Sequence, residues 1–259
     1  ALPILMYNKK MLEYRDVDSE DYNNYSENAL FLLKVISDWA SIPVSEITYH
    51  EVIDYFVNNF MIEIVFFDDN DRIINPEYKF INDTIYKIYP TFKERVSGFT
   101  VTDGYNYKIF LNFDMMRHRL IFTILHELVH IYFHCSSKKY MQIFASLNIE
   151  DHYPKEILPF EDEANIIASI LYLNDTKLIN YILEGNSFHS IMSLCKISKA
   201  ALHCRIMNYL IHNIGLNKNT ALFKYLNPYK EEVFGQTALK NLQSIISYPS
   251  FIKRLNQEA

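Results

Sequence analysis

The segment TILHELVHIYFH, residues 123–134, places His126, Glu127, His130 and His134 in one apolar stretch of the chain. Apolar residues recur through and before it at helical spacing, which predicts an amphipathic helix. Polar side chains of these types are costly to bury without partners. The segment therefore predicts either a ligand that holds these side chains, such as a metal ion, or their exposure on one helix face.

Two of the histidines have the spacing of metal ligands. On a helix, positions i and i+4 lie about 40° apart around the axis, so His126 and His130 project side by side. Two neutral imidazoles placed in this way can bind one zinc ion, and Glu127, rotated by about 100°, can act as general base on a metal-bound water. We expect one Zn²⁺ per chain, with Mn²⁺ or iron as alternatives.

A third protein ligand is expected, because catalytic zinc sites use three and leave a position for water. His134 lies two helical turns from the first ligand histidine, about 12 Å away, so we expect it beside the ligands or at the surface. The next predicted helix offers Glu161 and Glu163, which point about 200° apart, so only one of them can bind the ion. We favour Glu161, keep Glu163 as the alternative ligand, and expect Asn165 to hydrogen-bond a ligating histidine.

The rest of the chain predicts an α+β, helix-rich fold. The predicted core has a small antiparallel or mixed sheet and is followed by helical segments; the family resemblance described below implies that this core is zincin-like. On the same resemblance, we divide the chain into a metallopeptidase-like domain (1–184), a helix-turn-helix-like subdomain (185–215) and a C-terminal helical extension (216–259). Periodicity and turn signals predict helices at 26–40, 45–60, 160–173 and from 113 through the motif, a strand at 62–67, a hairpin at 95–112 and an irregular segment at 136–160.

Composition excludes some classes of protein. The chain has 259 residues and a formal net charge of −6, which disfavours a general nucleic-acid binder. The three scattered cysteines, Cys135, Cys195 and Cys204, predict free thiols in a reducing compartment. The first residues lack a basic segment typical of a signal peptide, and no apolar run approaches ~20 residues. We therefore expect a cytoplasmic protein without a membrane partner.

Three motifs, taken in order, resemble the ImmA/IrrE family of zinc metallopeptidases. YKIFLN (107–112), followed by the helix RLIFTILHELVHIYFH, is similar to the family's strand ending in Leu-Asn and its helix F-T-x-x-H-E-L-G-H-x-x-x-H. EDEANIIASIL resembles E-x-x-A-N-x-F-A-x-x-L, and CKISKAALHCRIMNYLI (195–211) resembles the helix-turn-helix-like V-S-x-x-A-L-x-x-R-L. The resemblance covers roughly residues 30–215, and Val129 stands where the family usually has Gly.

The resemblance implies His126, His130 and Glu161 as ligands and Glu127 as the catalytic acid/base. It also implies an endopeptidase that cleaves a helix-turn-helix transcriptional repressor. This cleavage would relieve repression of mobile-element or stress-response genes. Direct nucleic-acid binding is not expected. Two alternatives stay open: a non-cleaving zinc-containing module that sequesters a repressor, and a toxin-like hydrolase paired with an antitoxin.

Further residues are weaker candidates for the site. An extended substrate could pair with the strand 107–112, at whose end Asn112 lies. A second donor to the developing oxyanion is expected, and Tyr172, His203 and Arg205 are the candidates.

Overall fold

The computed structural model describes residues 17–67, 96–112, 114–135, 142–147, 156–232 and 235–247. It is a helix-rich α+β fold with one small mixed sheet, as the sequence predicts. The strands are β1 (Ile62–Phe67), β2 (Val96–Thr102), β3 (Tyr107–Asn112) and β4 (Gln142–Leu147). The α-helices are α1 (Ser19–Ala40), α2 (Tyr49–Asn59), α3 (Arg117–Val129), α4 (Leu158–Tyr172), α5 (Asp175–Leu183), α6 (Phe188–Cys195), α7 (Lys199–Asn208), α8 (Asn227–Lys230) and α9 (Gln236–Ser247). A 3-10 turn at Val44–Glu46 and π-helical turns at His130–His134, Tyr209–Asn213 and Thr220–Leu226 complete the elements.

The sheet has the strand order β1-β3-β2-β4. β1 runs parallel to β3, whereas β2 is antiparallel to both β3 and β4. The predicted hairpin between β2 and β3 is confirmed, because the Asp103 side chain accepts hydrogen bonds from the backbone N–H groups of Tyr105 and Asn106, and Gly104 adopts a φ of 90°. These contacts fix the turn that sets the register of the central pair.

The position of β3 corrects one expectation. β3 is paired on both sides, with β1 and with β2, so its backbone cannot add an extended substrate at an edge. Among the described strands the sheet ends at β1 and at β4.

The prediction that residues 136–160 are irregular is wrong for Gln142–Leu147, which form strand β4. QIFASL has no flanking turn signal of its own, and its strand conformation is stabilised by pairing with β2. The rest of the segment up to residue 155 lies outside the described residues.

The starts of α1 and α2 are set by capping groups rather than by hydrophobic period. α1 begins at Ser19 and not near residue 26, because the Asp18 side chain accepts a hydrogen bond from the Asp21 N–H at 2.9 Å. Thr48 and Glu51 cap α2 reciprocally, with 2.7 Å between the Thr48 nitrogen and the Glu51 carboxylate. The first turns of α1 are polar, so they give no apolar signal.

Helix α3 is the central element of the fold. It packs against β2, β3 and β4 on one side and against α2 and α4 on the other, and α4 in turn packs against α1. Leu125, Leu128 and Val129 are fully buried in this position. The end of α3 and the start of α4, which carry the motif residues, are therefore held by packing on several sides.

One hydrophobic cluster contains residues from Tyr22 to Ile246, so it includes side chains from all three predicted parts of the chain. The predicted boundaries at 184/185 and 215/216 stay a prediction. Helices α6 and α7 lie within the predicted helix-turn-helix-like segment and are joined through residues 196–198, with the Ser198 side chain capping α7. Leu202 and Ile206 of α7 are fully buried in the shared cluster. None of the helices in the described ranges is both long and apolar enough to span a membrane.

Gly98 of β2 lies at a close approach between the sheet and α3. A Cβ atom built there would lie 2.7 Å from Thr123 Cγ2 of α3 and 2.9 Å from the Phe110 carbonyl oxygen of β3. A side chain at this position would push the helix from the sheet. Because Gly98 has no side chain, strand β2, which also carries Thr100, can lie directly under α3.

We expect Gly98→Ala to lower the free energy of unfolding by about 1–3 kcal/mol, because an added methyl group overpacks the helix–sheet contact. Thermal or denaturant unfolding measures the loss. Thr123→Ser removes the Cγ2 that the new methyl group would meet, and in the Gly98→Ala background it should recover part of the stability. An alanine variant as stable as the wild type would show that the contact is not tight.

Candidate metal centre

Three side chains from two helices bring their ligand atoms together in the interior. His126 lies in the last turn of α3, His130 begins the π turn that follows, and Glu161 lies in the first turn of α4. Their ligand atoms all lie within 4.8 Å of one another, and the three form a cluster that could hold a metal ion. Pro159 in the first turn of α4 is compatible with a helix start and so helps to place Glu161.

The distances within the cluster suit a tetrahedral ion. His126 Nε2 lies 3.0 Å from His130 Nε2 and 3.2 Å from Glu161 Oε2, and His130 Nε2 lies 3.4 Å from Glu161 Oε1. Zinc bonds of roughly 2.0–2.1 Å at the tetrahedral angle require about 3.3 Å between ligand atoms. Two imidazole nitrogens and one carboxylate are also a ligand set typical of catalytic zinc. The residues fit the ion that the sequence predicts.

Burial shapes the protonation of the cluster. It lowers the pKa of His130 to about 4, although the Glu161 carboxylate acts in the opposite sense. Burial raises the pKa of Glu161, but the close contacts of its carboxylate with His126 and His130 outweigh burial and bring that pKa down to about 2. At neutral pH, His130 is thus neutral and Glu161 ionised, which are the forms that bind a metal.

His126 differs from its neighbour. Burial lowers its pKa, but the hydrogen bond and the charge of Glu161, together with the charge of Glu127, raise it above the ordinary value for histidine. Because a metal ion and a proton compete for the same ligand nitrogen, the raised pKa of His126 makes metal binding dependent on pH.

Glu127 is fully buried and accepts a hydrogen bond from the hydroxyl group of Thr100, with 2.7 Å between Thr100 Oγ1 and Glu127 Oε2. Thr100 lies in the middle of β2, under α3, and is itself fully buried. It was not predicted, because a threonine in a strand is ordinary and no local signal links it to a residue of a later helix. The contact orients the carboxylate beside the metal-binding histidines.

Glu163 lies outside the cluster and binds other partners. Its carboxylate contacts His134 Nε2 at 3.1 Å and accepts a hydrogen bond from Asn28 Nδ2 at 2.9 Å. The structure therefore brings Glu161, and not Glu163, to His126 and His130. His134 also contacts His130 Nδ1 through its own Nδ1 at 2.7 Å.

The structure does not give Asn165 the role expected of it. His126 Nδ1 is buried without a hydrogen-bond partner among the described residues, and the contact on His130 Nδ1 comes from His134.

Asn112 is buried at the end of β3, where it donates to the Val96 carbonyl at 3.3 Å and accepts from the Asp114 N–H. These bonds hold the start of β2 to the end of β3.

The three candidate oxyanion donors lie elsewhere. Tyr172 is eleven positions beyond Glu161 on α4, roughly 16 Å along the axis, and donates to the Lys196 carbonyl at 2.7 Å. Arg205 is buried, where it donates to the Leu173 carbonyl at 2.9 Å and pairs with Asp175. Within the described part of the chain, no hydrogen bond or ring contact joins His203 to the cluster.

Comparison with protein families agrees with this geometry. The family described as the IrrE N-terminal-like domain, Peptidase M78, matches residues 84–207, a range that contains both histidines, Glu127 and Glu161. Comparisons with curated proteins and with solved structures gave no significant match. With its HExxH motif running from the end of α3 into the π turn and a glutamate of α4 beside it, the segment 84–207 matches the IrrE N-terminal-like family of metallopeptidases, the ImmA/IrrE family.

Proposed function

We propose that the protein is a zinc-dependent endopeptidase, with His126, His130 and Glu161 as metal ligands and Glu127 as general base. The observation that carries this proposal is the buried carboxylate of Glu127 beside a three-residue metal cluster of the right spacing. A purely structural metal site has no need of a second carboxylate that does not bind the metal, next to a ligating histidine. Membership of a metallopeptidase family supports the same reaction.

A zinc ion held by this cluster would supply Lewis acidity, lowering the pKa of a water molecule towards ~7 and polarising a peptide carbonyl group. Glu127 would take the proton of the attacking water on its carboxylate and then deliver it to the leaving amine. The hydroxyl group of Thr100, 2.7 Å from Glu127 Oε2, would keep that carboxylate aimed during both transfers. Burial of the site would limit competing bulk water.

We further propose that the substrate is a helix-turn-helix repressor and that its cleavage regulates transcription. The family relationship supports a protein substrate, and the resemblance described above supports this class of partner. The three cysteines, all free thiols, support a cytoplasmic location.

Purified wild-type protein should contain about one zinc ion per chain, since one three-residue metal cluster occurs among the described residues. We expect His126→Ala to lose the metal, because two ligands remain. His118→Ala is the matched control: it removes an imidazole from the first turn of the same helix and should keep the metal. Elemental analysis after dialysis measures the content, and equal zinc in all three proteins would contradict the ligand assignment.

Glu127→Gln should bind zinc as the wild type does but lose cleavage by at least about 100-fold, because the amide cannot accept the proton. The assay incubates zinc-loaded protein with the helix-turn-helix repressor encoded beside it and follows the fragments by mass spectrometry. Cleavage at the wild-type rate would end this mechanism. Tight binding of an uncut repressor by the wild type would instead favour the sequestering alternative.

Thr100→Val removes the hydroxyl group and keeps the shape of the side chain. We expect roughly 10–100-fold slower cleavage, because a buried carboxylate that loses one hydrogen bond loses about 1–3 kcal/mol of favourable interaction. Zinc content should not change, since Thr100 contacts no metal ligand directly in the cluster. A rate equal to that of the wild type would show that Glu127 is held by other groups.

A further inference from the structure

A chain of hydrogen bonds leads from the metal cluster out to helix α1. His130 Nδ1 lies 2.7 Å from His134 Nδ1, and His134 Nε2 lies 3.1 Å from Glu163 Oε2. The other carboxylate oxygen, Glu163 Oε1, accepts from Asn28 Nδ2 at 2.9 Å. Three helical segments therefore meet in one row of contacts behind the ligand His130.

The donor and acceptor atoms of these groups determine in which direction the hydrogen bonds of the row are donated. An ionised carboxylate only accepts hydrogen bonds, so His134 Nε2 must carry a proton to bind Glu163. With its single proton on Nε2, His134 has a lone pair on Nδ1, which can only accept. His130 then donates from its own Nδ1. The other tautomer of His134 would place an unprotonated nitrogen against the Glu163 carboxylate at 3.1 Å, an unfavourable contact. The unprotonated Nε2 of His130 instead faces His126 Nε2 at 3.0 Å, which can donate to it, and lies farther from Glu161 Oε1, at 3.4 Å.

We propose that Asn28, Glu163 and His134 form a positioning relay that holds His130 in the tautomer with its proton on Nδ1 and its Nε2 lone pair turned to the metal. This inference rests on the proposed metal site. His130 Nε2 is the atom that lies 3.0 Å from His126 Nε2 and 3.4 Å from Glu161 Oε1, so the tautomer that the relay selects is the one the cluster needs. Outer partners of this kind fix ring orientation and raise ligand basicity.

The local backbone makes the relay possible. His130–His134 is a π-helical turn, closed by a hydrogen bond from the Cys135 N–H to the His130 carbonyl at 3.0 Å. The rings of His130 and His134 lie 4.9 Å apart between centroids, and Phe160 of α4 packs edge-on against His134 at 5.0 Å. His134 is thus wedged between the ligand and α4, where Glu163 reaches it.

The second histidine ligand offers an internal contrast. Nδ1 of His126 is buried and has no hydrogen-bond partner among the described residues, so no equivalent row of groups there selects its tautomer. The relay therefore acts on one ligand only, and its loss should be visible at that ligand.

The direct test reads the tautomer of His130 in metal-free protein, from long-range ¹H–¹⁵N correlation spectra of histidine-labelled samples. The wild type should show the proton of His130 on Nδ1, whereas Glu163→Gln should show a reduced fraction of that form. Packing alone would not move this signal. An unchanged His130 signal in Glu163→Gln overturns the relay.

Zinc affinity, measured by competition with a chelator, gives the second readout. Glu163→Gln should weaken binding roughly 10–100-fold, as loss of an outer partner of a ligating histidine does elsewhere. Glu27→Gln removes the same charge from an exposed position beside Asn28 and should stay within about twofold of the wild type, because solvent screens it. Equal affinities for Glu163→Gln and the wild type would overturn the relay.

A double-mutant cycle tests whether Glu163 acts through His134. In a His134→Phe background, Glu163→Gln should cost no more than about twofold, since the connection is already broken. His134→Gln replaces His134→Phe in the cycle if the latter does not fold. The same loss with and without His134 would overturn the relay. A wild type that takes up no zinc would overturn the proposed function, while the tautomer of the metal-free protein would still decide whether the relay exists.

Discussion

Four ionisable side chains, His126, Glu127, His130 and Glu161, lie side by side in the interior, each no more than 5% exposed. Burying such groups is unfavourable unless each is paired. The pairs here join separate elements: Glu161 of α4 meets both histidines, and Thr100 of β2 meets Glu127. The relative placement of sheet and two helices is thereby fixed to within hydrogen-bond lengths, and the remaining helices pack around that arrangement.

Much of the fold is local in origin, and that part follows from the sequence. The hairpin depends on Asp103 and Gly104, and helix α3 depends on its own apolar period, so both could be predicted. Strand β4 could not, because its conformation comes from pairing with residues of β2 that lie 40 to 51 positions earlier in the chain. The early start of α1 was missed for a different reason: a single capping bond from Asp18 supports a polar turn that buries few apolar groups.

The residues of the candidate site also fall into those that the sequence predicts and those that it does not. Spacing along one helix brings His126 to His130, and a rotation of about 200° over two positions separates Glu161 from Glu163. Both relations are fixed by helical geometry. Thr100 and Asn28 come from elements far along the chain, so only tertiary packing reveals them. Arg205 shows the opposite error, since a polar residue that suggested chemistry instead holds the carbonyl end of α4 and the start of α5.

The π turn at His130–His134 has a consequence for how this chain tolerates length changes. A turn closed from residue i to i+5 holds one residue more than an α-helical turn, in effect an insertion just after the second histidine of the motif. Deleting one residue from 131–133 would restore a regular helix and leave His134 three positions after His130, so the type of turn and the spacing together set the direction of the His134 ring. The spacing after HExxH is therefore as much a part of the site as the motif itself.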